Sequence, residues 1–368
     1  TAQLPFEPAL SSSMDCSGIS TFFAHAFTSR WPSSAPTLKY GSASHFESDI
    51  CVSPKLLGRS PCASVWLAKY RSETKGVCVV KRAPKQGSPP RWREAEIHTS
   101  LAHPNIAKVV GLYEDGNRRD LVLEHLSGGT LLRGNECRVF TEAKAADAVA
   151  QILAAVGYLH ARQVAHCDLK PGNIMFDAEN RIKLIDFGHA TRISGVPMTQ
   201  QCGTEGYIAP ETLTGSFTEK VDLWAVGVIA YEMLVGCRPL PRSTDAIQEK
   251  MASGSPWSTF AFQRLSAPAQ DFLRALLVVN PHERPTAVQA MAHPWLQGWC
   301  SEGAQCDPKR TCDVNMCEGL KFRRNGCTHT ALGETAPARR ETHGACITAC
   351  CLWEIVAGLP FAAHSKRL

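Results

Sequence analysis

The chain has 368 residues, 44% of them apolar and 20% charged, which is the balance of a globular protein with one large or two medium domains rather than of a disordered or coiled-coil chain. Against 34 Asp and Glu stand 39 Lys and Arg, a dispersed surplus of +5 that excludes the concentrated basic footprint of a nucleic-acid binder. The 16 cysteines suggest a secreted disulfide framework only until they are placed: Cys16 is near the start, seven lie in 46–297 and eight crowd into 298–368.

Residues 1–45 are rich in Ser, Pro and Ala without sustained periodicity and read as a disordered arm. They hold no apolar run behind a basic start, so no secretory signal is read there and a reducing, cytoplasmic setting is expected. From Ile50 onward short β-branched runs (Ser64–Ala68, Val77–Val80, Leu121–Leu123) alternate with turn signals, and one helical stretch, Arg91–Leu101, interrupts them. From Thr141 the pattern turns helical, with Val149, Ile152, Leu153, Val156 and Leu159 recurring on one face. Val221–Leu234 is apolar nearly all round and predicts a buried central helix. Periodicity stops after Trp295. The compact unit is therefore 46–297: a small sheet lobe with one helix over about 46–123, then a mainly helical lobe over about 127–297.

The strongest local signal is His166-Cys-Asp168-Leu-Lys170-Pro-Gly-Asn173, followed by Asp186-Phe-Gly188. Between them Ile174–Phe176 and Ile182–Ile185 read as a hairpin turning at Asp177–Asn180, which brings both ends of the motif together. Such a site supplies a carboxylate to accept a hydroxyl proton, an ammonium to neutralise phosphate, and hard oxygens that suit Mg2+. In this order and spacing the set resembles the eukaryotic protein kinase family, serine/threonine class, most like the calcium/calmodulin-dependent and calcium-dependent kinases. The resemblance implies a two-lobed α+β kinase fold over most of 46–297. It also implies transfer of the γ-phosphoryl group of ATP, with Mg2+, to Ser or Thr hydroxyls of protein substrates.

Carried over residue by residue, the resemblance makes Asp168 and Lys170 catalytic and Asn173 and Asp186 the magnesium ligands. Lys81, oriented by Glu94, is implied to hold the phosphates, and Leu57, Gly58, Val65, Val79, Leu123, Glu124, Leu126 and Met175 to surround the nucleotide. Cys202-Gly-Thr204 through Pro210-Glu211 resembles the end of an activation segment, with Thr204 and Glu232 toward the protein substrate and Glu211 paired to Arg284. Asp222 is implied to anchor the catalytic loop, and Lys170, two residues beyond Asp168, favours the serine/threonine class.

The chain also departs from the family pattern. Only the first glycine of the phosphate loop is kept, at Gly58; Ser60 and Ala63 replace the others, Pro61 stiffens the turn, and Val79 narrows the roof usually left to alanine. Cys167 replaces the arginine that captures an activation-loop phosphate, and Gln200 stands where relatives carry the phosphorylated threonine, so both halves of that switch are missing. His98 occupies an apolar position and is expected to be neutral and hydrogen-bonded. Thr130 and Gly172 replace acidic residues that draw arginine-rich substrates. These changes keep a rival reading open: a pseudokinase used as a nucleotide- or protein-binding regulatory module.

The tail cysteines, Cys300 to Cys351, form no pair of C-x2-C knuckles and read as a thiol-bearing tail rather than a zinc site. Asp313-Val-Asn315 begins like a calcium loop but lacks its later ligands, and Glu354 and Pro360 break the apolar run 345–363, so no transmembrane span is expected. The two flanks are the candidate docking segments for a regulatory protein.

Overall fold

The computed structural model describes residues 38–300, apart from 61–62, 73–75, 85–91, 133–138, 201 and 241–244. The readings made on residues 1–37 and 301–368 lie outside the described residues.

The amino-terminal half is a six-stranded sheet. Its strands are β1 (Lys39–Ser42), β2 (Ile50–Arg59), β3 (Ser64–Tyr70), β4 (Val77–Pro84), β5 (Val109–Glu114) and β6 (Arg118–Glu124), in the spatial order β1-β5-β6-β4-β3-β2. Helix α1 (Ala43–Asp49) joins β1 to β2, and α2 (Trp92–Thr99) lies between β4 and β5. Alternation along β4 divides its side chains between two faces. Cys78 and Val80 enter a small core with Phe46, Ile50, Ala68, Tyr113 and Val122, whereas Val79 and Lys81 point to the other face. Helix α2 ends at Thr99, short of the expected Leu101, because Ser100 and Leu101 close back on Ile97 and His98 in tight turns.

The fold corrects the boundary of the arm. A domain start at residue 46 falls inside α1, and Lys39–Ser42, read as disordered, pairs in parallel with β5 from Lys39↔Gly111 to Ser42↔Glu114. Phe46, 3% exposed, meets the Tyr113 ring edge-on at 5.3 Å, and Asp49 accepts both the Tyr113 hydroxyl at 3.0 Å and Lys39 at 3.1 Å. Parallel pairing between segments this far apart leaves no local period to read.

The second half starts with β7 (Gly129–Thr130) and helix α3 (Glu142–Ala161), whose N-cap Thr141 accepts from the Lys144 amide. The five residues on the expected face of α3, Val149 to Leu159, are all fully buried. After it come β8 (Val164–Ala165), β9 (Ile174–Phe176), β10 (Ile182–Leu184) and β11 (Thr191–Arg192). The expected hairpin forms with Ile182↔Phe176 and Leu184↔Ile174 in register, and Asn180 closes its turn at φ 59°. Helix α4 (Lys220–Val235) is buried along nearly its whole circumference, as its uniform apolarity requires, and ends at Gly236 with φ 83°. Short helices complete this lobe, the last of them Pro294–Cys300, which runs past the expected end at 297. Among the described residues no helix is long and apolar enough to cross a membrane.

Candidate active site

The loop that carries His166–Asn173 is set by one carboxylate. Asp222, in the first turn of α4, accepts the His166 amide at 2.9 Å and the His160 imidazole at 2.9 Å on Oδ2, and the Cys167 amide at 2.9 Å on Oδ1. Burial opposes its charge, but the His160 bond and the surrounding donors hold its carboxyl below the usual range. Cys167 is thereby kept at φ 63°, a left-handed conformation unfavourable to a residue with a Cβ. His166 Nε2 donates to the Ile185 carbonyl at 3.2 Å, tying the loop to the end of the hairpin.

This loop brings four expected side chains together. Asp168 Oδ1 accepts the Thr204 hydroxyl at 2.6 Å, and its Oδ2 receives Asn173 Nδ2 at 3.0 Å and Lys170 Nζ at 3.1 Å. Lys170 also donates to Thr204 Oγ1 at 2.6 Å. A single hydroxyl thus links the ammonium and the carboxylate across the catalytic loop and the segment that follows Cys202. Asn173 further donates to the Asp168 carbonyl at 2.8 Å, so its amide nitrogen is committed and the amide oxygen is the atom left to face a cation.

A second cluster joins the sheet lobe to the hairpin. Lys81 Nζ lies 2.5 Å from Glu94 Oε1 on α2 and 2.8 Å from Asp186 Oδ1. Burial works against the lysine charge, but the two carboxylates outweigh it and hold Lys81 above the ordinary lysine range. Burial likewise opposes the Asp186 charge and is overcome by Lys81, so this carboxyl sits well below the usual range; Glu94 is pushed upward by burial, which Lys81 only partly offsets. Asp186 adopts φ 60°, and its Oδ1 also receives the Gly188 amide at 3.3 Å. Such backbone strain persists where the surroundings over-determine the conformation.

The remaining sites surround the space between these clusters. Val65 and Val79 are buried on the sheet face that bears Lys81, with Val79 opposite Leu123 and Val65 opposite Lys81 in the ladder. Leu126, Ala107 and Ile185 form an apolar cluster against which Met175 packs. Leu57 is partly exposed and Gly58 buried near the end of β2. Beyond them the turn closes on itself: the Ser60 amide donates to the Ala63 carbonyl at 2.8 Å and the Ala63 amide to Ser60 Oγ at 3.0 Å. Glu124 accepts the Lys108 amide at 2.7 Å and Lys183 at 3.1 Å, so its side chain braces the end of β6.

The contact between Tyr207 and Glu232 was not read from the sequence. Glu232 accepts the Tyr207 hydroxyl at 2.6 Å, and the Arg238 guanidinium lies 5.8 Å from the centre of that ring, close enough to Gly206 that a Cβ there would come within 2.7 Å of Nη1. The signal was an arginine at the end of α4, visible only once that turn is known to return to Tyr207. His98 donates from Nε2 to the Ala107 carbonyl at 2.7 Å, and its ring and that of His166 both pack against Phe187, with ring centres 4.4 and 5.0 Å away. Burial lowers its pKa to about 4, which makes it the neutral core histidine expected. Glu211 and Arg284 pair through two bonds of 2.7 and 3.2 Å, both side chains buried. Among the described residues no cluster of three or more His, Cys, Asp or Glu is arranged to hold a metal ion by itself.

Comparison with known proteins agrees with this architecture. The protein kinase domain model matches residues 52–296. Calcium/calmodulin-dependent protein kinase type 1 of Macrobrachium nipponense is 34% identical over 258 residues, covering 66% of this chain and 74% of the relative. Aurora kinases A-B and A-A of Xenopus laevis are each 34% identical over 248 residues, 65% of this chain and 60% of theirs. With the family's domain spanning both lobes and relatives of the serine/threonine class at this identity, the chain belongs to the protein kinase family and is a protein serine/threonine kinase.

Proposed function

We propose that the chain transfers the γ-phosphoryl group of Mg-ATP to Ser or Thr hydroxyls of protein substrates, using the residues gathered between its lobes. The observation that carries this reading is the convergence of Lys81, Glu94 and Asp186 on one side and Asp168, Lys170, Asn173 and Thr204 on the other.

The donor set fits the metal. Asp186 offers a carboxylate held ionised by Lys81, and Asn173 offers an amide oxygen, the hard ligands that magnesium prefers. Bound there, the ion would neutralise charge on the phosphates. Lys81 would hold the phosphates while Glu94 orients it. Asp168 would accept the proton of the substrate hydroxyl, which arrives at the carboxylate oxygen that Thr204 now occupies or beside it. Lys170 would steady the charge of the group in transit. Val65, Val79, Leu123, Leu126 and Met175 would enclose the adenine, and the backbone of Glu124 to Leu126 would meet its polar edge.

At the substrate side Glu232 already accepts from Tyr207, with Arg238 beside that ring, which supports a site with no strong demand for arginine. A regulatory partner on the flanks and a cytoplasmic setting belong to the same reading.

The pseudokinase reading is favoured by one observation: the turn Ser60–Ala63 satisfies both of its end amides internally, so those donors are not directed to a phosphate. Transfer from Mg-ATP to a generic protein substrate separates the two. Wild type should exceed Asp168→Asn and Asp186→Asn by about 10²-fold or more. A wild type no faster than these variants refutes the enzyme mechanism, and a thermal shift with ATP, with and without magnesium, then tells whether nucleotide still binds.

A further inference from the structure

Two cysteines occupy the walls of one pocket beside Asp168 and Thr204: Cys167 from the catalytic loop and Cys202 from the segment that leads to Thr204. Both are free thiols, Cys167 buried and Cys202 partly exposed. The Cys167 thiol donates to the Cys202 sulfur, and this bond, with burial, raises the Cys167 pKa well above its ordinary value. The two backbones also approach closely, since a Cβ on Gly203 would lie 3.1 Å from the Cys167 carbonyl oxygen. The Asp222 bond to the Cys167 amide and the φ of 63° fix residue 167 in this position. Phosphoryl transfer as proposed above uses neither thiol.

We propose that Cys167 and Cys202 form a reversible disulfide that staples the segment before Thr204 to the catalytic loop, with a peroxide as the oxidant. Cys202 reacts first, because it is the more exposed and because Cys167 holds its own proton in the bond between them. The Cys202 thiolate attacks the O–O bond of hydrogen peroxide; an S–O bond forms, the O–O bond breaks, and water leaves after protonation. The Cys167 sulfur then attacks the Cys202 sulfenic sulfur; the S–S bond forms, the S–O bond breaks, and the thiol proton departs with hydroxide as a second water. Two thiols and one peroxide become one disulfide and two waters, and a dithiol reverses the product by exchange.

The bridge joins two segments already linked by Thr204 to Asp168 and by Lys170 to Thr204. It preserves this arrangement rather than disrupting it. A cross-link also restricts the unfolded chain, so the oxidised protein should be the more stable form. The bridge acts at the position where the phosphate switch, with Cys167 and Gln200 in place of its two halves, is missing.

The test uses the full chain treated with hydrogen peroxide, alkylated, and digested without reductant. The expected result is a linked peptide pair containing Cys167 and Cys202, lighter by two hydrogens and lost on treatment with dithiothreitol. Its formation should raise the unfolding temperature by several degrees. Cys202→Ser and Cys167→Ser should each abolish that rise, whereas Cys51→Ser and Cys237→Ser, at exposed positions, should keep it. Should Cys167→Ser fail to fold, the wild-type peptide map and Cys202→Ser still decide. Recovery of Cys202 as sulfinic acid or in a mixed disulfide, with Cys167 alkylated, overturns the proposal. So does a Cys167–Cys202 bridge that leaves the unfolding temperature unchanged or lowers it.

Discussion

Asp222 holds Cys167 in a left-handed conformation through a 2.9 Å bond to its amide, and the same carboxylate accepts from His166 and His160. Replacing Asp222 by Ala would leave two buried amides without an acceptor and release the strained residue. A stability loss of about 3 kcal/mol is expected in chemical denaturation, with a larger proportional loss of phosphoryl transfer because Asp168 is the next residue. Asp222→Asn, which keeps one acceptor, should recover part of the stability.

Glu211 and Arg284 make a second test of the scaffold. Arg284 is fully buried, lies 5.1 Å from the centre of the Trp224 ring, and also reaches the Lys220 and Val278 carbonyls. Glu211→Ala strands that charge and should cost about 3–5 kcal/mol, whereas removing both partners together should cost less than the sum of the single losses. Equal additivity in a double-mutant cycle would contradict the pair.

The pH dependence of stability follows from two buried histidines. Burial lowers both His98 and His103 from 6.5 to about 4, with Lys81 and His166 adding to the effect on His98, the Ala107 bond and Asp186 opposing it, and Lys183 acting on His103. Because the folded values lie below the unfolded ones, the unfolded chain binds more protons between these limits. The stabilisation is complete above pH 6.5 and is lost as pH falls toward 4, by about 3 kcal/mol per histidine at most. Asp186, held below its usual 3.8, adds a loss only at still lower pH. Denaturation midpoints measured from pH 7 to 4 should show this slope, and His98→Leu should flatten it by about half.

Lys81→Met would leave Glu94 and Asp186 facing one another without the cation between them. Phosphoryl transfer should fall by about 10²-fold or more, and the stabilisation given by Mg-ATP in a thermal shift should shrink with it. Lys81→Arg should restore charge without the compact geometry and recover only part of either signal. Full retention of both signals in Lys81→Met would place the phosphates elsewhere.

The site was legible where its chemistry is written in short spacings. Asp168, Lys170 and Asn173 sit within one loop, and strand alternation with turn residues at Asp177–Asn180 foretold the hairpin that leads on to Asp186, whereas the roles of these residues came from the resemblance. Lys81 and Glu94 were placed by the resemblance alone; the periods of their strand and helix marked the elements, not the pairing between them. Contacts between remote segments were not legible. Nothing near Tyr207 announces that Glu232 will accept its hydroxyl, and nothing near Glu124 announces Lys183.

The fold shows the same division. The all-round apolarity of α4 and the single buried face of α3 forecast their burial correctly. His98 looked out of place in an apolar position until the Ala107 carbonyl supplied its partner. The arm was misread at its end for a related reason: Lys39–Ser42 has little apolar content of its own and becomes a strand only against β5.

That added strand has a consequence for handling the protein. β5 would otherwise be the rim of the sheet, with a row of backbone groups open to a second chain. Cutting the polypeptide at residue 46 removes β1 and half of α1, so the shortened form should associate edge to edge as its concentration rises, while a form beginning before Lys39 stays monodisperse in light scattering.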